Sequence, residues 1–360
     1  MPSSPVIVVG AGISGAACAR ALAARNVPVV LRDRSRVAGG RMASRTMHGR
    51  RVDIGASYFI ATTPQFQSIV DDWVGRGLAR PWTDRFMVRT ADGWFPKEPG
   101  PLRYGTPHGL RTLVEDLVAS VTATAGTTTG DAGTAPPGVA APPPATGAAG
   151  AAGAAGFAEV RFEPGTTVTA VGRDGGSPTV DGVPVRAVVL AMPDPQAAGL
   201  LAPELVDERA AVADRPWLSS LVLAAGWPER VWPAADGVFV HDDQVLRWVA
   251  DDGRRRGDGA AVLVAHSTPW FATARFDDPR GAEADMVHAL RRVAEIDQPP
   301  AWSHLQRWSA ALAAEPNEDR YYLGPALVGL CGDSWGRPSR VENAYLSGLA
   351  LGEALAERLS

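Results

Sequence analysis

The chain has 360 residues, of which 46% are hydrophobic and 21% charged, as in a globular protein with one large domain or two interleaved ones. Its net charge of −4 argues against a nucleic-acid-binding surface, and no run of about 20 apolar residues predicts a membrane span. Two cysteines, Cys18 and Cys331, are too few for a disulfide framework or a cysteine metal cage, so we expect a reducing, cytoplasmic setting and no metal.

The N-terminal residues predict a strand, a turn, a helix and a second strand. Val6–Val9 has the apolar β-branched pattern of a buried parallel strand. A glycine-rich turn, Gly10–Gly15, separates it from an alanine-rich helix at Ile13–Arg25. Val27–Leu31 predicts the second buried strand. Together these segments have the size and order of a βαβ unit.

The first turn has the pattern Gly-x-Gly-x-x-Gly, and an acidic residue, Asp33, ends the following strand. Gly10 permits the tight turn, Gly12 lets a pyrophosphate approach the backbone, and Gly15 allows close packing of helix on strand. The helix N-terminus favours phosphate, and Asp33 can accept a hydrogen bond from a ribose hydroxyl. This unit predicts a dinucleotide site, for which NAD and FAD both remain candidates.

Two further segments favour FAD over NAD. Gly39-Gly40 is a second glycine turn followed by Arg41, whose planar guanidinium suits phosphate. Gly332-Asp333 follows the buried strand predicted at Ala326–Leu330. An aspartate there can bond a ribityl hydroxyl, and the next helix can stabilise charge on a flavin ring. These segments serve the two ends of a longer cofactor.

The middle of the chain contains a segment of unusual composition. Residues 122–156 are almost wholly Ala, Gly, Pro and Thr, which predicts a disordered surface insertion. It separates a helix predicted at 110–121 from a strand predicted at 158–162. Further strands are predicted at 168–171 and 184–190, antiparallel strands at 218–225, 245–250 and 261–266, and helices at 282–294 and 342–359.

The motifs together resemble the FAD-dependent amine oxidase superfamily, and most closely its renalase-like branch. The likeness runs from end to end apart from the insertion. It departs from the family pattern at Asp33, Ser57, Ser309 and Asn343, which leaves the substrate open. The segments that carry it are Gly10–Gly15, Asp33–Arg36, Gly39–Ala43, Asp53–Phe59, Ala191–Ala198, Gly332–Trp335 and Glu342–Gly348.

The resemblance implies an α/β fold in which a Rossmann-type FAD-binding domain carries a second, α+β substrate domain with an antiparallel or mixed sheet. We expect residues 1–58, 157–209 and 321–360 to form the FAD domain, and residues 59–121 and 210–320 the substrate domain. FAD is expected to bind non-covalently. The expected cofactor-binding residues are Gly10, Gly12, Ile13, Ser14, Gly15, Asp33, Arg34, Gly39, Gly40, Arg41, Met42, Gly55, Ala56, Ser57, Gly332, Asp333, Glu342, Asn343 and Ala344.

The expected reaction is hydride transfer from a reduced small molecule to flavin N5, with reoxidation by O₂. The renalase-like branch suggests a nicotinamide-type substrate, a dihydro-isomer of NAD(P). The alternatives are oxidation of a small amine, a non-catalytic FAD-binding partner protein, and an NAD-dependent dehydrogenase without flavin. Arg247 and Arg307 are candidates for binding an anionic substrate, or else point to solvent. The candidates for lining the flavin face are Tyr58, Trp248, His266, Trp308, Trp335 and Tyr345, with Phe59, Trp270 and His241 as further pocket candidates.

Overall fold

The structure, a computed structural model, describes residues 4–122 and 158–360. Apart from Thr122, the insertion predicted at 122–156 lies outside the described residues. Up to residue 122 the elements are β1 (Val6–Val9), α1 (Ile13–Ala24), β2 (Val29–Asp33), a 3-10 helix (Gly40–Met42), β3 (Ser44–Met47), β4 (Arg50–Asp53), α2 (Pro64–Gly75), β5 (Arg80–Thr83), β6 (Met87–Thr90), β7 (Gly93–Pro96), β8 (Arg103–Gly105) and α3 (Arg111–Thr122).

The remaining described elements form the rest of both large sheets and the closing helix. From residue 158 to 251 they are β9 (Val160–Pro164), β10 (Val171–Asp174), β11 (Ser177–Val180), β12 (Val183–Pro184), β13 (Ala187–Ala191), α4 (Asp194–Ala198), α5 (Val206–Val212), β14 (Trp217–Gly226), β15 (Gly237–Val240) and β16 (Leu246–Asp251). They continue with α6 (Asp252–Arg256), β17 (Val262–Ser267), α7 (Pro269–Arg275), α8 (Pro279–Ala294), β18 (Trp302–Ala313), β19 (Tyr322–Leu323), β20 (Val328–Cys331) and α9 (Val341–Leu359).

The first large sheet has the strand order β19-β20-β13-β1-β2-β9. All its pairs are parallel except β19 with β20. Side chains alternate across it, because Val6 and Val8 pack on the side of α1 and α9, whereas Ile7 and Val9 pack on the opposite side. A parallel sheet covered on both faces is the Rossmann-type arrangement.

The second large sheet has the order β18-β14-β17-β16-β15-β6-β7. It is mixed, because β15 pairs with β6 in parallel and the other pairs are antiparallel. One face packs against α7 and α8 through residues such as Leu223 and Leu290. The opposite face carries Val222 and Val264 towards Val52 of β4. We call this opposite face the inner face.

The predicted α/β fold with a second, mixed sheet is confirmed. The two sheets draw their strands from alternating stretches of the chain, since β1, β2, β9, β13, β19 and β20 belong to the first sheet and β6, β7 and β14–β18 to the second. The domain boundaries expected from the sequence stay a prediction. Cys331 is a buried core residue, and burial raises the pKa of its thiol to about 12.

Several strand predictions were wrong in their limits, and two of them have a cause in the hydrogen bonding. The strand predicted at Val27–Leu31 begins at Val29, because Asn26 adopts a positive φ and the Val27 N–H bonds back to the end of α1. The strand predicted at 168–171 begins at Val171, because the preceding amides bond instead to the carboxylate of Asp181. In both places the backbone N–H groups bond to another acceptor and are not available for hydrogen bonds between strands.

Within residues 4–122 and 158–360, no helix is long and apolar enough to cross a membrane.

Candidate functional site

Two glycine turns meet at the N-terminus of α1. Gly10 has φ of +106°, where an added Cβ would lie 2.5 Å from the Ala191 carbonyl oxygen. The Gly39 N–H donates to the Ala11 carbonyl over 2.8 Å, which holds the second turn against the first. Gly40, at φ of +54°, lies so close to Gly12 that a Cβ on it would approach the Gly12 Cα to 3.1 Å. Two backbone segments without side chains therefore face each other where the first helix begins.

The first turn of α1 has backbone N–H groups without a side-chain cap. Gly12 is the N-cap residue and forms no capping hydrogen bond, and the turn contains no acidic residue. Ile13, Ser14 and Gly15 follow it and are buried. Free N–H groups and the positive end of the helix dipole attract an anionic group.

Asp33 contacts the glycine turn directly. Its Oδ2 accepts a hydrogen bond from the Ala11 N–H over 2.7 Å, and its Oδ1 accepts one from the Ser35 N–H, also over 2.7 Å. Asp33 therefore fixes the shape of the turn, and a ribose contact would use its remaining lone pairs. Arg34 is exposed beside it.

Arg41 and Asp333 join the second glycine turn to the end of β20. The guanidinium of Arg41 forms a bidentate ion pair with the Asp333 carboxylate, and one of these bonds, from Nη1 to Oδ2, measures 2.9 Å. Ser339 also donates to Asp333, over 2.6 Å. The guanidinium carbon of Arg41 lies 5.2 Å from the ring centroid of Trp217. Arg41 and Asp333, which were expected at the two ends of the cofactor, instead lie together at one position.

The segment after β4 passes beside this pair. The Ala56 N–H donates to the Arg41 carbonyl over 2.9 Å, and a Cβ on Gly55 would overlap the same carbonyl oxygen. Trp308 of β18 donates from Nε1 to the Ile54 carbonyl over 2.7 Å. The segment is therefore held between the second glycine turn and the inner face of the second sheet. Met42 is buried beneath it.

Ser57, Trp248 and His266, which we call the polar cluster, meet where this segment reaches the inner face. Trp248 donates from Nε1 to the Ser57 hydroxyl over 3.0 Å, and the Ser57 hydroxyl lies 3.0 Å from His266 Nε2. Trp248 and His266 are paired across β16 and β17. The ring of Tyr58 packs 5.6 Å from that of Trp248. Three of the residues predicted to line the flavin face are therefore brought together around Ser57.

His266 is held in its neutral form. Burial and the positive charges of Arg255 and Arg247 lower the pKa of its imidazole to about 3. A neutral ring can accept a hydrogen bond from the Ser57 hydroxyl at Nε2, while the Ser57 oxygen accepts one from Trp248 Nε1. Because its pKa is so low, His266 can take part in hydrogen bonds at neutral pH but is a weak base.

A buried network of charges lies behind the polar cluster. Asp53 Oδ2 lies 3.0 Å from Arg256 Nη2 and 3.4 Å from Arg255 Nη2, and both arginines pair with Asp252. All four side chains are at most 1% exposed. Arg255 also donates to the Ser57 carbonyl. Burial opposes the charge on Asp252, but the surrounding arginines outweigh it and hold the pKa of that carboxyl at about 2.

The remaining predicted residues serve the packing of α9. Glu342 accepts hydrogen bonds from the backbone N–H groups and hydroxyls of Thr62 and Thr63, over 2.8–2.9 Å, so its carboxylate anchors the start of α2. The Asn343 amide donates to the Pro338 carbonyl over 2.6 Å. Ala344 is buried among the residues that pack α9 on the first sheet. The Gly332 N–H donates to Ser347 over 3.0 Å.

Several aromatic candidates lie away from the polar cluster. Trp335 packs in the other core of the first sheet, with Arg215 4.8 Å above its ring. Tyr345 packs against Phe66 in the core beneath α1, where Phe59 is buried too. Trp270 and His241 are exposed, so the structure places neither in a pocket.

The sequence reasoning missed the charge network. The run Asp251-Asp252-Gly253-Arg254-Arg255-Arg256 has the composition of an exposed helix face, yet Arg255 and Arg256 are buried. The signal that could have found them is the spacing of Arg255 and Arg256 three and four positions after Asp252, the spacing of helical ion pairs.

Comparisons with known proteins agree with this fold. The NAD(P)-binding Rossmann-like domain family matches residues 8–73. Cyclohexylamine oxidase from Brevibacterium oxydans IH-35A superposes with a TM-score of 0.70 at 14% identity, covering 99% of this chain and 100% of that one. A triple mutant of putrescine oxidase with redesigned cofactor binding gives 0.71 at 13% identity, covering 99% of each chain. Wild-type putrescine oxidase bound to putrescine gives 0.67 at 13% identity, covering 99% of this chain and 98% of that one. At these identities the likeness establishes a shared fold.

Replacing Asp53 with asparagine is expected to destabilise the protein by about 3–5 kcal/mol, because two buried guanidinium groups lose one of their carboxylate partners. Urea unfolding measures this change. The matched control is Asp258→Asn, which removes a more exposed partner of Arg50 and should cost less than about 1 kcal/mol. Equal effects of the two substitutions would contradict the network.

His266 is expected to stay unprotonated down to pH 5. Since its pKa is lower in the folded protein than in the unfolded chain, its contribution to stability falls as the pH drops below the unfolded value of about 6.5. Imidazole NMR signals, assigned by comparison with His266→Gln, report the titration. A midpoint near 6.5 for His266 in the folded protein would show that the cluster does not hold the neutral ring.

Proposed function

We propose that the chain is an FAD-dependent oxidoreductase. The observation that carries the proposal is the contact between two glycine turns at the uncapped N-terminus of α1, together with the Arg41–Asp333 pair that leads from there towards the polar cluster. A helix N-terminus suited to phosphate, a polar link and the aromatic, hydrogen-bonded residues of the polar cluster follow one another along this path. That order matches the pyrophosphate, ribityl chain and ring of FAD.

The residues at the turn fit such a cofactor. Gly12 has a φ of −80°, a value that any residue can adopt, and a Cβ there would meet only the Gly40 Cα, at 3.9 Å. The folded chain itself therefore places no demand on glycine at this position. The space that a side chain would fill lies at the helix N-terminus, where a pyrophosphate would need to approach the backbone.

The proposed cofactor contacts follow the chain from one end of the site to the other. The N–H groups of Ile13, Ser14 and Gly15 would bind the pyrophosphate, Asp33 the ribose, and Arg41 with Asp333 the central part. Gly55, Ala56 and Ser57 would pass beside the ring. When bound, FAD would accept a hydride from a reduced carbon of the substrate.

The protein's own residues would prepare the substrate side. Tyr58 and Trp248 would exclude water from one edge of the site, since their rings pack together on the inner face. Ser57 would hold its hydroxyl in a fixed direction between Trp248 and His266. Because neutral His266 is a weak base, the residues of the polar cluster would orient the substrate without removing a proton from it.

The renalase-like resemblance supports oxidation of a nicotinamide-type substrate, a dihydro-isomer of NAD(P), with O₂ as the final acceptor. Oxidation of a small amine is the second candidate, favoured by the shared fold with cyclohexylamine oxidase and putrescine oxidase. A non-catalytic FAD-binding role would need neither substrate.

Anaerobic mixing of the purified protein with a dihydro-NAD(P) isomer is expected to bleach the visible flavin absorbance, because the hydride passes to the bound cofactor. A panel of small amines is tested in the same way. Bleaching by an amine alone would replace the first substrate class by the second. Unchanged absorbance with every reductant would overturn the catalytic role and leave an FAD-binding protein.

Gly12→Ala serves as the cofactor-site control in this experiment. It should fold like the wild type, as judged by circular dichroism and thermal unfolding of flavin-free protein, but retain little FAD after gel filtration. Gly75→Ala, at the end of α2 with open space around it, is the matched substitution and should retain FAD fully. Full FAD retention by Gly12→Ala would contradict the proposed pyrophosphate position.

A further inference from the structure

Strands β16 and β17 change register beside the polar cluster. Leu246 pairs with Ser267 and Trp248 pairs with His266, so two steps along β16 correspond to one step along β17. Arg247 is therefore the extra residue of a β-bulge. Such bulges occur next to functional sites, where they redirect a side chain.

The packing of β16 shows which face Arg247 shares. Leu246 and Val249 both belong to the core under α7 and α8, whereas Trp248 packs with Phe86 on the inner face. In a regular strand, residues three positions apart would lie on opposite faces. The bulge resolves this, because alternation from Leu246 puts Arg247 on the inner face and Trp248 follows it there. Two consecutive residues, Arg247 and Trp248, therefore lie on the inner face.

The charged groups that act on Tyr58 and His266 at this part of the inner face are arginines. Arg103 and Arg247 are the charged groups that act on the Tyr58 phenol, and Arg255 and Arg247 those that act on the His266 imidazole. The carboxylates of the buried network are already paired with Arg255 and Arg256. Among the described residues, the charged groups that act on Tyr58 and His266 are arginines, so an anionic ligand beside them would be attracted and a cationic one repelled.

Arg247 has its guanidinium available for such a ligand. Its side chain is exposed and makes no hydrogen bond or ion pair with the described residues. Arg307, the other arginine considered from the sequence, differs in this respect. It donates to the Phe276 carbonyl over 2.7 Å, and its guanidinium carbon lies 5.2 Å from the centroid of the Phe276 ring. The guanidinium of Arg307 is therefore already bound to the residue that follows α7.

We propose that Arg247, placed on the inner face by the bulge, binds an anionic oxygen group of the substrate, a carboxylate or a phosphate, and so selects anionic over cationic substrates. The planar guanidinium can bind either group through two parallel hydrogen bonds. That the bound anion is a substrate rests on the proposed function, whereas recognition of the anion depends only on this chain's own residues.

The test is isothermal titration calorimetry of the purified protein with four aromatic probes: benzoate, phenyl phosphate, neutral benzamide and cationic benzylamine. The wild type should bind at least one of the two anions and bind benzylamine at least about tenfold more weakly. Arg247→Met should weaken anion binding by about tenfold or more, the loss of a charge-assisted bidentate contact. Arg247→Lys, which keeps the charge without the fork, should lie between them.

Arg307→Met is the matched control, since it removes an exposed arginine of the same sheet and should leave anion binding unchanged. Thermal unfolding checks that each variant is folded. Which of benzoate and phenyl phosphate binds better distinguishes a carboxylate from a phosphate substrate. Equal anion binding by wild type and Arg247→Met, tighter binding of benzylamine, or no binding of either anion would overturn the proposal. The readout needs no flavin, so a colourless protein that still bound benzoate through Arg247 would refute the proposed function alone.

Discussion

The ion network of Asp53, Asp252, Arg255 and Arg256 is the constraint on which the candidate site depends. Charges buried this completely are tolerated only when each one has a partner, so the two carboxylates and two guanidinium groups must stay together. Asp53 ends β4, next to the segment that carries Ser57, whereas the other three belong to α6, which connects β16 to β17 within the second sheet. The network therefore fixes that segment against the inner face, and the Arg255 bond to the Ser57 carbonyl sets the position of the polar cluster.

The same network shapes the electrostatics of the site. Its carboxylates neutralise its own arginines, so they offer no partner to an incoming cation. Burial beside Arg255 and Arg247 keeps His266 neutral. In a protein that shares its fold with cyclohexylamine oxidase and putrescine oxidase, Arg247 would then be the arginine that an anionic ligand meets on the inner face. Fold and ligand preference are separate properties, since the site is built from particular side chains on a common scaffold.

Local patterns made part of this structure predictable. The strand–turn–helix unit, the glycine turns and several strands of the second sheet follow from short-range periodicity and from glycine's conformational freedom, whereas the second sheet as a whole was expected from the family resemblance. Contacts between residues that lie far apart in the sequence were not predictable in this way. The burial of Arg255 depends on its ion pair with Asp53, which lies on β4 in a much earlier part of the chain, and the exposed placement of Trp270 depends on how α7 packs. The bulge at Arg247 arises from the pairing of β16 with β17, which the sequence of either strand alone does not reveal.

The most direct measurement of the central claim is a visible absorbance titration of the purified wild-type protein with FAD. The account predicts a bound-flavin spectrum, distinct from that of free FAD, that saturates at one FAD per chain. A protein that is colourless as purified and leaves the spectrum of added FAD unchanged would contradict it.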